Sequence, residues 1–535
     1  MKKIIGTLFI IILLICTFVF VNKLFLKKPP FDSSEKINVY LDGIKDEEYN
    51  HLFRNNQIYI SANYLMDNGL LDYYWDEGYH KISIFNNYNY EIINYNKKKA
   101  FYDKESYNRE DVLLIDDKTL YFNTMFIKGN YIESIHIDSN NLNVIIEENI
   151  SEYEVLKKSK LKSDNSRISN TSKILDIGEI IYVYDQEYEG WLLARTQDNI
   201  IGYIKSSDIK PISKINYNIY PALNKGKEIN MAWDLISSPI KNFEPFDIPS
   251  AIDIIGPTWF NLVDDFGFFE NLSNDDYIKY VKESKKEIWA VFSNSFDPDL
   301  TSNLMNNGIK RSQIIDKIIE ITQKKGFDAI NIDFENIYLK DKDMFSAFIK
   351  ELYCKARAEN ILVSVDITIL SKTENWSLCY DRKVISKYAD YIMLMAYDEN
   401  VSGTPGSVSS LPWVEYGVKN ILEYAPNEKI VLSIPFYTRL WETCEGESGL
   451  KVKSTALKIQ TAQNVIEELE MKLIYDKTTG QNYAEKIVDG ITYMIWNEDK
   501  TSLTKRVEIV RKYDLAGYAV WTLDYGTDEM WNLIK

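Results

Sequence analysis

Two carboxylates stand on one face of a short alternating stretch in the middle of the chain. The stretch reads Ile330, Asn331, Ile332, Asp333, Phe334 and Glu335. If it is a strand, Asp333 and Glu335 share a face about 6 to 7 Å apart, close enough to perturb each other's protonation. Paired carboxylates of this kind carry out acid and base catalysis in glycosidases. The alternative is an edge strand with a solvated polar face.

The elements around this stretch predict an α/β fold. From residue 226 onward, strands alternate with amphipathic helices such as 312–325 and 344–358. The eight candidate strands are 228–233, 251–257, 287–293, 329–334, 361–367, 391–397, 429–435 and 516–521. This alternation predicts a (β/α)8 TIM barrel over residues 226–535, with an insertion near 440–515. Such barrels carry their sites at the C-terminal ends of the strands, where Asp333 and Glu335 fall.

Polar and aromatic residues also stand at or just beyond other predicted strand ends. They are Trp233, Asp234, Trp259, Asn294, Met395, Tyr397, Asp398, Tyr437, Arg439 and Trp521. Each alone is typical of a core aromatic or a capped turn. Together they outline a cleft of acids, phenols and indoles that would suit a sugar.

These motifs resemble glycoside hydrolase family 18, the chitinase-like barrels. The family's DxxDxDxE signature appears as Asp328, Asn331, Asp333 and Glu335. Its MxYD signature appears as Met395 to Asp398, and its eighth-strand tryptophan as Trp521. Asn331 departs from the aspartate of many chitinases. It resembles instead the branch of spore-cortex-lytic and cell-wall N-acetylglucosaminidases.

The resemblance implies a role for each site residue. Glu335 would be the general acid and then the base toward water, while the substrate's own 2-acetamido group attacks the anomeric carbon. Asp333 would hold the acetamido N–H, Tyr397 its carbonyl, and Trp521 would form the floor. The remaining expected substrate-binding residues are Asn331, Asp328, Met395, Asp398, Tyr437, Arg439 and Trp259. Asparagine at 331 removes a like charge beneath Asp333, so proton sharing should change while activity survives.

The region before the barrel predicts small β-rich accessory domains. Residues 36–150 contain an internal repeat with an offset of 62 residues and resemble a copper amine oxidase-like stalk domain. His51 and His80 form no convincing copper site there. Residues 151–165 are rich in lysine and serine and are predicted to be a linker. Residues 166–214 resemble a bacterial Src-homology-3-like barrel.

The N-terminus predicts membrane attachment. Residues 4–21 form an uncharged apolar run of 18 between lysines, long enough to span a bilayer and without an evident cleavage site. Residues 1–30 are therefore predicted to comprise a cytoplasmic tip and an uncleaved transmembrane helix. The expected localisation is single-pass in the cell membrane, with the bulk of the chain on the extracellular, wall side.

Composition excludes several kinds of chemistry. The formal net charge of -17 argues against nucleic acid as a partner. The three histidines are His51, His80 and His136, so the rest of the chain cannot use Ser-His-Asp, Cys-His or histidine-ligated zinc chemistry. No metal or cofactor is predicted, and the oligomeric state is left open.

Three functions remain in play at this stage. The first is a membrane-anchored hydrolase cleaving β-linked N-acetylglucosamine in peptidoglycan of the vegetative wall or spore cortex. The second is a catalytically weak carbohydrate-binding or scaffold protein, which the presence of Glu335 disfavours. The third is a chitinase or endo-β-N-acetylglucosaminidase acting on another glycan containing N-acetylglucosamine.

Overall fold

The computed structural model of the protein describes residues 37–86, 89–132, 134–138, 142–216, 228–446 and 449–534. These residues divide into two compact units. One lies within Tyr73–Asn94 and Tyr220–Lys535, and the other within Met1–Asp72 and Tyr95–Ile219.

Eight parallel strands form the centre of the C-terminal unit. They are β1 (Ile229–Asp234), β2 (Ile254–Pro257), β3 (Glu287–Ser293), β4 (Ala329–Asp333), β5 (Leu362–Thr368), β6 (Tyr391–Met395), β7 (Ile430–Pro435) and β8 (Gly517–Trp521). Each strand pairs with the next, and β8 pairs back with β1. The predicted closed barrel is confirmed.

Helices cover the outside of the barrel and its added segments. They are α1 (Asp275–Glu283), α2 (Pro298–Met305), α3 (Gly308–Lys325), α4 (Lys342–Ala358), α5 (Arg382–Lys387), α6 (Leu411–Ile421), α7 (Ile459–Glu468), α8 (Lys500–Lys512) and α9 (Asp528–Leu533). Helix α3 begins after Asn307, whose side chain accepts hydrogen bonds from two N–H groups of the first turn. It ends at Gly326 with φ of 67°, a left-handed conformation that glycine adopts without strain and that turns the chain into β4.

Period-two alternation directs the side chains of β4. Ile330 and Ile332 pack outward in the buried layer between strands and helices. Asn331 and Asp333 therefore point to the barrel interior. The apolar residues that fill the interior are Ile229, Met231, Trp233, Ile254, Trp289, Val291, Ala329, Tyr391, Met393, Val431 and Ala519.

Antiparallel strands are added to the barrel at two places. A hairpin of Phe260–Leu262 and Phe269–Asn271 follows β2 and pairs with β3. Between β7 and β8, five strands form a separate sheet that carries α7. They are Tyr437–Gly446, Gly449–Lys458, Ile474–Asp476, Gln481–Val488 and Ile491–Asn497.

A segment far from the barrel in sequence also belongs to this unit. This segment, Tyr73–Asn94, contains most of the strands Asp72–Asp76, Lys81–Asn86 and Asn89–Tyr95. The fully buried Arg311 of α3 donates hydrogen bonds to Asp76 at 2.8 Å and to Glu351 of α4 at 2.9 Å. The sequence predicts a single module over residues 36–150, whereas residues 73–94 belong to the unit that contains the barrel. Ion pairs between residues so far apart in the chain leave no local pattern from which this could be predicted.

The N-terminal unit is built mainly of β-structure. One four-stranded sheet contains Asn38–Leu41, Ile44–Lys45, Ile135–Asp138 and Asn143–Ile146, and a second contains Leu52–Arg54, Gln57–Ser61, Leu113–Asp116 and Thr119–Asn123. Further strands are Lys99–Tyr102 and Glu105–Asn108, and the helices are Ala62–Asp67, Arg109–Val112 and Thr124–Asn130. A seven-stranded sheet contains Asn149–Val155, Ser159–Lys162, Thr171–Leu175, Ile180–Tyr188, Trp191–Thr196, Ile201–Lys205 and Ile209–Asn216.

The lysine-rich stretch predicted as a linker is instead part of that sheet. Residues 151–165 contribute to the strands Asn149–Val155 and Ser159–Lys162. Leu161 is fully buried, whereas Lys160 beside it is exposed. Lys160 and Lys162 therefore occupy an outer face of a strand, which composition alone does not distinguish from a linker.

The prediction of membrane attachment is corrected. None of the helices within residues 37–534, as far as they are described, is long and apolar enough to cross a bilayer. The predicted single-pass localisation is therefore wrong on the structure as described. Residues 4–21, which carry that prediction, lie outside the described residues.

Candidate active site

Asp333 and Glu335 lie at the C-terminal edge of the barrel. Asp333 is the last residue of β4, and Glu335 follows two residues later. The buried Asn294, just beyond β3, fixes the backbone of Glu335 at both ends. Its side-chain oxygen accepts from the Glu335 N–H at 3.0 Å, and its amide donates to the Glu335 carbonyl at 2.7 Å. The catalytic acid predicted from sequence is thus rigidly held.

The protonation of both acids is shifted by their surroundings. Desolvation by the surrounding protein raises the pKa of Glu335 well above its ordinary value, and the charges of Asp333 and Asp398 raise it further. Desolvation raises the pKa of Asp333 to about 7. The raised pKa favours the protonated form of Glu335, which is the form a general acid requires.

Asp333 also presents an unused acceptor. Its Oδ1 atom is buried and has no hydrogen-bond partner among the described residues. Leaving a buried acceptor unpaired costs about 1 to 3 kcal/mol. A substrate N–H that reached this atom would remove that cost, so the site favours a ligand carrying such a donor.

Tyr397, just after β6, and its neighbours form a second group of site residues. Burial raises the pKa of Tyr397 well above its ordinary value, so its hydroxyl keeps a proton to donate. Its ring lies 6.2 Å, centroid to centroid, from the ring of Tyr437. The Tyr437 hydroxyl donates to Asp398 Oδ1 at 2.6 Å, and Arg439 Nη2 approaches the same oxygen at 3.5 Å.

Two tryptophans pack against each other near the C-terminal ends of β1 and β8. Trp521 ends β8, and its ring centroid is 6.0 Å from that of Trp233. The indole N–H of Trp233 donates to Asn331 Oδ1 at 2.8 Å. Met395 ends β6 and is buried, with 6% of its surface exposed. Trp521 and Met395 thus come to strand ends at the same edge as Asp333.

Asp328 and Trp259 do not join the site. Asp328 precedes β4 and accepts the backbone N–H of Ile288, so it lies at the opposite edge of the barrel, about 17 Å of strand from Asp333. Trp259 is fully buried and packs on Tyr277 and Phe327, whose ring centroids lie 5.2 and 5.6 Å away. It belongs to the layer between strands and helices, so neither residue can bind substrate as expected.

One buried acid of the site escaped the sequence analysis. Asp366 of β5 is 2% exposed, and its Oδ1 accepts a hydrogen bond from Asn331 Nδ2 at 2.6 Å. The signal was an aspartate inside the predicted strand 361–367, at an inward position by alternation with Val365. An acid at such an inward position is a candidate site residue for the same reason as Asp333.

Two exposed aromatic rings on the rim were also missed. Phe296 follows β3, and Trp376 lies in the helical turn Glu374–Leu378 after β5. They are 50% and 42% exposed, and their ring centroids are 6.4 Å apart. Asn336, the residue after Glu335, donates to the Phe296 carbonyl and accepts from Asn375. The aromatic pair is therefore tied to the loop that carries the acid.

The arrangement is that of carboxylate catalysis on a carbohydrate. A proton donor, a buried acceptor, a phenol and indole rings lie together at the C-terminal edge of a parallel barrel, where barrel enzymes carry their sites. Among the described residues, no group of three or more His, Cys, Asp or Glu side chains is arranged to hold a metal ion. The fold and site define a glycosidase-type (β/α)8 barrel.

The chain belongs to the glycosyl hydrolases family 18. The family matches residues 199–526, which is more than half of the chain. The protein is therefore a family 18 glycosidase.

Two of the similar proteins come from Bacillus subtilis. The chain is 28% identical over 271 residues to the uncharacterized glycosylase YvbX of Bacillus subtilis, covering 48% of this chain and 77% of that one. It is 22% identical over 250 residues to the cortical fragment-lytic enzyme of Bacillus subtilis, covering 45% and 57%. The match thus spans under two thirds of that enzyme.

A solved structure shows the same fold. The spore cortex-lytic enzyme SleL of Bacillus megaterium QM B1551 superposes with a TM-score of 0.50 at 20% identity, covering 61% of this chain and 77% of that one. At this identity the likeness concerns the fold alone.

Proposed function

We propose that this protein hydrolyses β-linked N-acetylglucosamine in peptidoglycan, in the vegetative wall or the spore cortex, with retention of configuration. The observation that carries the proposal is the buried, unpaired Oδ1 of Asp333 close to Glu335, whose pKa is raised by burial and by neighbouring acids. A sugar with a 2-acetamido group offers both an N–H for that oxygen and a glycosidic oxygen for the proton. Neutral sugars without the acetamido group would leave Asp333 unsatisfied.

The reaction uses the substrate's own acetamido group. Glu335 gives its proton to the glycosidic oxygen as the bond to the anomeric carbon breaks, and the acetamido carbonyl oxygen attacks that carbon from the other side. Asp333 accepts the acetamido N–H and stabilises the positive charge that develops on the ring formed. Tyr397 donates to the acetamido oxygen. Glu335 then takes a proton from the water that opens the intermediate.

Similarity in sequence favours peptidoglycan over chitin as the substrate. The cortical fragment-lytic enzyme is a relative by sequence. A chitinase or endoglycosidase acting on another glycan remains the second candidate, because the same recess would accept N-acetylglucosamine in any polymer. A carbohydrate-binding scaffold is the third, and the raised pKa of Glu335 weighs against it.

Product analysis separates these functions. The full chain is incubated with purified peptidoglycan or with chitin oligomers, and new reducing ends are identified by mass spectrometry, with a Glu335→Gln preparation as the blank. We expect fragments ending in N-acetylglucosamine from peptidoglycan. Release from chitin alone would favour the second candidate. Binding of either polymer without cleavage would favour the scaffold.

The exposed aromatic pair is expected to hold the polymer near the acid. Trp376→Ala should raise KM for peptidoglycan about 3- to 10-fold with little change in kcat, because a ring contact is worth about 0.5 to 1.5 kcal/mol beyond its area and lies away from the reacting atoms. Initial rates over a range of substrate concentrations give the two constants. Tyr416→Ala, an equally exposed aromatic on α6, is the matched control. Equal KM values for both variants would remove the pair from the binding surface.

A further inference from the structure

Asp366 stands beside Asp333 on the neighbouring strand. Strands β4 and β5 pair Asn331 with Ser364 and Ile332 with Val365. Continuing this register by one residue places Asp333 alongside Asp366. Neighbouring strands are about 4.8 Å apart, so the two inward carboxyl groups are close neighbours, and Asp366 is only 2% exposed.

The hydrogen bonds around Asn331 define which oxygen of Asp366 can carry a proton. The indole of Trp233 can only donate, so the oxygen of the Asn331 amide faces Trp233 and its NH2 group faces Asp366. Oδ1 of Asp366 is thereby an acceptor. A proton held by Asp366 must reside on Oδ2.

Four titratable side chains interact with Asp366, and each of them becomes negatively charged when it loses its proton. They are Asp333 and Glu335 from β4 and the residues after it, Tyr397 beyond β6 and Tyr380 before α5. Burial raises the pKa of Asp366 well above its ordinary value, and the charge of Asp333 raises it further. Two adjacent buried carboxyl groups of this kind cannot both ionise at little cost.

We propose that Asp366 is a positioning residue that holds, on Oδ2, the one proton shared with Asp333. This inference rests on the proposed function. With the proton on Asp366, Asp333 is the anion that accepts the substrate's N–H and faces the positive charge of the intermediate. The proton moves only within the pair, so the pair's net charge stays at one negative charge. Asn331 keeps the Asp366 carboxyl in place.

Two substitutions test whether Asp366 is needed as a proton donor or as a negative charge. Asp366→Asn puts a permanent N–H donor where the proton resides, so kcat should fall no more than a few-fold. Asp366→Ala removes the donor and should lower kcat about 10- to 100-fold, the usual effect of losing a partner that orients a catalytic group, with a smaller change in KM. Ser364→Ala, one inward position earlier on β5, is the control for loss of a buried polar group.

Infrared spectroscopy detects the protonated carboxyl group directly and needs no substrate. At neutral pH the Glu335→Gln protein should still show the carbonyl band of a buried protonated carboxyl group, and the Glu335→Gln/Asp366→Asn protein should lose it. Loss of the band would support the shared proton even if the wild type cleaves no glycan, which would sink only the proposed function. A persistent band, or an Asn variant as impaired as the Ala variant, would overturn the proposal. Where the Ala variant fails to fold, the infrared comparison decides.

Discussion

Glu335→Gln is expected to lower kcat about 10²- to 10⁴-fold, which is the contribution of a positioned general acid. Glutamine keeps the size and hydrogen-bonding shape of the side chain but has no proton to give to the leaving oxygen. The Asn294 clamp on the backbone of residue 335 does not depend on the side chain, so the variant should fold normally. Release of reducing ends from peptidoglycan over time measures the loss.

The pH dependence of the wild type provides the supporting measurement. The pKa of Glu335 is raised in the folded protein, so the protonated, active form persists as pH rises and is lost only above that raised pKa. A glutamate with an ordinary pKa would already have lost its proton near pH 5. Glu320→Gln on the outer face of α3 is the matched control and should leave kcat intact. A wild-type rate that falls from about pH 5 upward would contradict the assignment of Glu335.

Arg311→Ala is expected to destabilise the C-terminal unit by about 3 to 5 kcal/mol, the cost of breaking a buried ion pair by removing one partner. Arg311 is fully buried, and its guanidinium also donates to the Met305 carbonyl at 3.0 Å. Without it, Asp76 and Glu351 remain buried with only part of their neutralising charge. Urea unfolding followed by tryptophan fluorescence gives the change in the free energy of unfolding.

An exposed ion pair on the same helix provides the comparison. Lys317 approaches Glu320 at 3.1 Å, and both side chains are about half exposed or more. Lys317→Ala should cost less than about 1 kcal/mol, because water screens such pairs. Similar losses for the two variants would mean that the buried charges around Arg311 contribute little to stability.

Much of the barrel could be predicted because its information is local. The eight strands follow from apolar runs with regular spacing, and the alternation around Asp333 sets the inward face of β4. The family signatures then selected Glu335, Tyr397 and Trp521, all of which the structure places at strand ends on the same edge. Each of these predictions depends on residues a few positions apart.

What could not be predicted depends on which strand lies next to which. Asp366 is an ordinary aspartate until β5 is set beside β4 and its carboxyl meets Asn331. Asp328 matches the signature, yet it precedes the strand and accepts the Ile288 N–H at the opposite edge of the barrel. The strand at 159–162 shows the converse, since its lysines resemble a linker until Leu161 is seen to be buried.

The docking of residues 73–94 sets a practical limit on how the enzyme can be divided. Phe85 is 2% exposed within the barrel's main hydrophobic cluster, 6.1 Å from the Tyr388 ring, and Ser83 and Lys81 both reach Glu351. A fragment beginning at residue 226 would expose this apolar surface and leave Glu351 without two of its partners. Protease trimming that cuts on either side of 73–94 should therefore leave that peptide bound to the barrel. The catalytic domain predicted from sequence begins at residue 226, whereas the unit that we expect to fold stably also includes residues 73–94.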